Sequence, residues 1–140
     1  MIRAPDGSFA TYDAPRTRAA YADPAMGDYC ECLGCRNYRA AWKPQYFEPT
    51  LLAACERIGI NPSKAFETVE VGSKESGVSY IGELPFFGEV DEARYTHTEP
   101  YQWRFTQVGP GAGAFAHGLV AISFELELPW ILPEPNPYLP

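Results

Sequence analysis

The sequence predicts an α+β domain: an antiparallel sheet of about four to six strands, with two short helices (residues 35–43 and 49–58) packed on one face. Three observations carry this prediction. Helical periodicity comes before strand periodicity along the chain, the order expected when helices and strands segregate instead of alternating. Near the end, Val120, Ile122, Phe124, Leu126 and Leu128 alternate with Ala121, Ser123, Glu125 and Glu127, giving one dry face and one wet face. The chain of 140 residues is 46% hydrophobic and 21% charged, so it has the size and composition of a single domain. At that length a core forms without a metal or disulfide to hold it.

Residues 1–27 are rich in Ala, Pro and Asp and predict a loosely structured arm. Phe9–Tyr12 is its short strand, and Ala14-Pro15 and Asp23-Pro24 are extended or turning chain. Residues 28–132 are the expected globular core. In the first helix Cys35, Tyr38 and Trp42 share one face; Gly34 argues against an earlier start, and Pro44 stops the element. In the second, Pro49 suits the first helical position and Leu51, Leu52, Cys55 and Ile58 form the apolar stripe. Gly59 is placed to turn left-handed, with Ile60 folding back onto Cys55. The short link through Pro44-Gln45 makes the two helices antiparallel neighbours.

From Phe66 the period becomes two. The expected strands are Phe66–Val71, Val78–Val90, a third on Tyr101, Trp103 and Phe105, and 120–128. Gly72–Gly77 reads as a turn. Gly82 and Pro85 imply a bulge or an edge position within the second strand. Gly109–Gly118 is a connector, and Pro133, Pro135, Pro137 and Pro140 make residues 133–140 an extended, loosely held tail.

The formal charge is −7, unevenly spread. Residues 1–46 hold six Lys/Arg against five acids, and the remainder holds five against thirteen. An acidic body repels phosphate backbones, so nucleic acid is not an expected partner, whereas long-range steering favours a basic protein. No segment has the length of an apolar membrane span or a signal-peptide core, so no membrane partner is expected. The expected setting is the cytoplasm, where the four cysteines stay reduced or bind metal.

The most specific local feature is Tyr29-Cys30-Glu31-Cys32-Leu33-Gly34-Cys35-Arg36-Asn37-Tyr38, with three cysteines in six residues. Thiolates so spaced can converge on Zn²⁺, which prefers four ligands in a tetrahedron. The fourth candidate is Cys55, His97, His117, a carboxylate or water. The competing reading is that these cysteines are small apolar packing residues. Cys32-Leu33-Gly34-Cys35 has also the form of a redox pair, but no strand signal precedes it as in a thioredoxin-like βαβ unit. His97 and His117 can each act as base or ligand near neutrality. Gly109-Pro110-Gly111-Ala112-Gly113 lacks the Lys and Ser/Thr of a phosphate loop. Glu125 and Glu127 read as the wet side of a strand.

The Tyr-x-Cys-x-Cys-x-x-Cys-Arg-Asn-Tyr motif at residues 29–38, Leu51–Gly59-Ile60-x-Pro62 and the closing Leu126-Glu127-Leu128-Pro129-Trp130 together resemble a family of short uncharacterised bacterial proteins. The resemblance spans most of residues 28–132. It implies a bacterial cytosolic protein and carries over no activity and no catalytic residue. From the residues themselves, the expectation is a small non-enzymatic binding or structural protein with no cofactor. A Cys-rich zinc-binding protein, or a metal- or thiol-dependent enzyme using Cys30, Cys32 and Cys35, is the alternative.

Overall fold

The computed structural model describes residues 1–26, 30–65, 67–74, 77–91, 102–108 and 119–138. In chain order these form strands β1 (Ile2–Arg3) and β2 (Phe9–Tyr12), helices α1 (Ala14–Tyr21), α2 (Leu33–Ala41) and α3 (Pro49–Ile58), then strands β3 (Glu67–Lys74), β4 (Gly77–Phe86), β5 (Gly88–Asp91), β6 (Trp103–Val108) and β7 (Leu119–Leu128). The class is α+β with antiparallel pairing throughout. Among the described residues there are two sheets instead of one: three strands in the order β1-β2-β5, and four in the order β3-β4-β7-β6.

The four-stranded sheet is organised by β7. Its dry residues Val120, Ile122 and Phe124 stand opposite Phe86, Leu84 and Gly82 of β4. On its other side Phe105 and Trp103 of β6 stand opposite Ile122 and Phe124. Side chains opposite one another share a face, so one continuous apolar surface results, and all of these residues except Gly82 belong to the core. Glu125 and Glu127 point the other way and are exposed, as the alternation requires. Gly82 lies under the Phe124 ring: a Cβ there would stand 2.4 Å from it.

Pro85 shows how the sheet ends. Among the described residues the β3 ladder begins at Glu67 opposite Glu83, and β4 beyond that point pairs with β7 alone. A proline with no N–H to donate is tolerated at such a local edge. Its carbonyl accepts the Tyr21 hydroxyl at 2.7 Å. The irregular register falls on β3, between Glu70 and Gly72, and not on β4. β3 also continues through Gly72–Lys74, where a turn was expected.

At Phe87 the chain leaves one sheet for the other, which frees its backbone groups. Both are recovered by the N-terminal segment: the Phe87 N–H donates to Thr17 Oγ1 at 3.1 Å, and the Phe87 carbonyl accepts the Asp13 N–H at 2.8 Å. Buried backbone groups need such partners. The expected loose arm is therefore corrected. Residues 14–21 are helical, started by Asp13, whose carboxylate accepts the Arg16 N–H, and by Pro15 in the first turn. Only Thr17 and Tyr21 of α1 are buried, too few to give the sequence an amphipathic signature. The turn between β1 and β2 is fixed likewise, because buried Ser8 accepts the Phe105 N–H at 3.0 Å.

α3 has the expected bounds and caps. Pro49 opens it, and Gly59 closes it at φ 90°, with the N–H groups of Gly59 and Ile60 both donating to the Cys55 carbonyl. A Cβ at Gly59 would stand 2.8 Å from the Ala14 carbonyl oxygen, so α3 meets α1 there, while α2 lies against β3. α2 itself runs from Leu33 to Ala41, not 35 to 43, and Trp42 is already extended. Tyr38 and Phe47 meet Phe124 with ring centroids 6.4 and 4.9 Å apart, which seats α2 and the following turn on the dry face of the sheet. Among the described residues no helix is long and apolar enough to cross a membrane.

Candidate metal site

The earlier start of α2 builds the site. Cys32 is its N-cap residue, with φ −65° and ψ 160°, and its sulfur accepts the Cys35 N–H at 3.4 Å. The cap role that Ser, Asp or Asn fills elsewhere is taken here by a sulfur. Gly34 is tolerated in this first turn because its carbonyl is held by the Tyr80 hydroxyl at 2.8 Å. Cys30 lies just outside the helix. Its carbonyl accepts Arg39 Nη1 at 2.8 Å, and the same guanidinium meets Glu31 at 3.4 Å. This strap turns the chain back over the first turn of α2. The sulfurs of Cys30, Cys32 and Cys35 consequently lie within 4.8 Å of one another. Around a tetrahedral zinc with bonds of ~2.3 Å, sulfurs stand roughly 3.8 Å apart.

Cys30 and Cys32 are exposed and Cys35 is partly covered. The Cys30 thiol is held below its ordinary 9.0, chiefly by the backbone N–H of Cys32 and then by hydrogen bonds with the Cys32 and Cys35 thiols; Arg39 adds a smaller favourable charge. The helix N-terminus favours negative charge at the same place. These features suit thiolates and the cations that bind them.

Cys55 belongs elsewhere. It is buried in the core on the stripe of α3 with Leu51 and Ile58, and burial lifts its thiol from 9.0 to about 12. Among the described residues the cluster consists of the other three cysteines. His97 and His117 lie outside the described residues, as does the Gly-rich 109–113 run. The thioredoxin-like reading loses further ground, because the element preceding α2 is α1 and not a strand.

The two thiol environments predict opposite chemistry. Iodoacetamide at mildly alkaline pH should alkylate Cys30 and Cys32 in the native protein, with Cys55 labelled only when the fold opens. Peptide mapping over time checks the order, and early Cys55 labelling would contradict its burial. The folded state also retains the neutral Cys55 thiol. Its contribution to stability is complete below about 9 and is lost as pH rises through about 12. Alkaline melts should show Tm falling across that window, and less steeply for Cys55→Ala.

The rest of the motif is structural, a role the sequence did not signal. Asn37 is fully buried. Its Nδ2 donates to the Pro129 carbonyl at 3.0 Å and to the Tyr80 hydroxyl at 3.3 Å, and its Oδ1 accepts the Ile131 N–H at 2.8 Å. Arg36 pairs with Glu134 at 3.4 Å, and the Trp130 indole donates to the Glu134 carbonyl. The expected loose tail is thus corrected through Tyr138, whose ring meets Trp130 edge-on. Compared with family models, curated proteins and solved structures, the chain gives no match.

Proposed function

We propose that the protein is a zinc-binding protein, a non-enzymatic binder whose ligand is a thiophilic cation held by Cys30, Cys32 and Cys35. The convergence of the three sulfurs supports this reading. Charge supports it too. Three thiolates with one Zn²⁺ carry a net negative charge, and the α2 N-terminus and Arg39 offset it. Thiolates are also the soft ligands that zinc accepts and Mg²⁺ or Ca²⁺ do not.

Zinc content after purification without chelator tests the proposal. The wild-type chain and Cys55→Ala should carry one zinc per chain. Cys32→Ala removes a direct ligand and should weaken binding by more than the ~10–100-fold typical of losing an outer-shell partner. Retention of zinc by Cys32→Ala, or no zinc uptake by reduced wild-type protein, would overturn the proposal and return the three cysteines to packing.

A further inference from the structure

The manner in which the thiols are held bears on what happens to an ion placed there. In a structural zinc site four ligands close around the metal, and its binding free energy is folding free energy. Here the chain itself anchors the turn that carries the thiols. The Tyr80 hydroxyl holds the Gly34 carbonyl, Asn37 ties the next turn to Pro129 and Ile131, and Arg39 straps the Cys30 carbonyl. The first of these anchors runs into the sheet, the second into the C-terminal segment and the third is local to α2, and none uses a cysteine sulfur. Two of the three cysteines are exposed residues. The fold beneath the site therefore stands apart from the metal, and an incoming ligand can reach the ion.

Resting on the reading of this cluster as a zinc site, we propose that zinc is exchangeable cargo there. It passes to an acceptor polypeptide that presents cysteine thiolates. An acceptor thiolate adds at the coordination position that the three cysteines leave, and the zinc–Cys30 bond then breaks. Cys30 leaves first because it lies outside the helix, whereas Cys32 caps it and Cys35 sits in its first turn. Two further exchanges release Cys32 and Cys35. Each departing sulfur takes up a proton, each acceptor thiol gives one up, and zinc stays divalent, so no electron moves. A histidine from outside the described residues in the fourth position would instead close the site.

The test uses the full chain, reduced and loaded with one equivalent of zinc, mixed with a metal-free four-cysteine peptide while zinc transfer is followed. An open zinc centre expands its coordination to admit a ligand, so a tenfold rise in peptide should speed transfer about tenfold. The zinc-free chain should keep its native near-UV circular dichroism. A His97→Ala/His117→Ala double variant should hold zinc within about threefold of wild type, well short of the ~10–100-fold loss that even an outer-shell partner causes. A transfer rate independent of peptide, loss of native signal without zinc, or a loss of affinity above tenfold in the double variant would each overturn the proposal. Failure to load zinc at all is a separate result and defeats the metal reading itself.

Discussion

Replacing Phe124 by Ala should destabilise the protein by ~3–5 kcal/mol in urea unfolding, among the larger costs a single core truncation brings. The ring is 1% exposed, packs against Tyr38 and Phe47, and covers Gly82 across the β4–β7 ladder. Truncation leaves a hole whose floor is backbone, because Gly82 has no side chain to move into it. The site therefore collapses poorly, and cavities that cannot collapse give the upper end of the range. The neighbouring Glu125→Ala should change stability by no more than about 0.5 kcal/mol, since that side chain is exposed. A Phe124→Ala loss under ~1 kcal/mol would mean that this face does not form the core.

Asn37→Ala should cost ~2–4 kcal/mol, and its main effect should appear at a distance in sequence. The substitution leaves the Ile131 N–H and the Pro129 carbonyl without their partner from α2. Both bonds are part-buried, and a hydrogen bond lost with its partners left unsatisfied costs ~1–3 kcal/mol. Hydrogen exchange at Ile131–Tyr138 should accelerate more than exchange in β4 or β7, because the tail loses its tie while the sheet keeps its ladder. Arg36→Ala is the contrast. Its pair with Glu134 is 39% and 40% exposed, and half-solvated ion pairs contribute only ~0–1 kcal/mol. Equal exchange rates across tail and sheet in Asn37→Ala would show that Asn37 acts on global stability alone.

The candidate site was legible as composition, while its geometry was not. Three cysteines in six residues announce themselves, yet Gly34 pointed to a helix beginning only at the third, Cys35. The sulfur of Cys32 caps the helix two residues earlier, and that shift gathers the thiols at its first turn. Cys55 showed both of its roles in the sequence, packing residue and fourth ligand. Its place on the apolar stripe decided for packing. Asn37 stood in the motif with no sign of its role, since a buried amide looks like any surface Asn until its partners Pro129 and Ile131 are known.

The elements that the sequence by itself determined are those whose physics closes within a few residues. α3 has its stripe, its opening Pro49 and its left-handed Gly59; β7 has its alternation; the cysteines have their spacing. Tertiary structure alone decided the rest: the helix at 14–21, the change of sheet at Phe87, the docking of the tail and the support beneath the thiols. Each of these depends on one polar group finding another far along the chain, as Thr17 finds Phe87, Ser8 finds Phe105 and Asn37 finds Ile131. Hydrophobic period and helix caps are local and can be read along the chain, whereas the partner of a buried N–H or carbonyl exists only after the chain has folded.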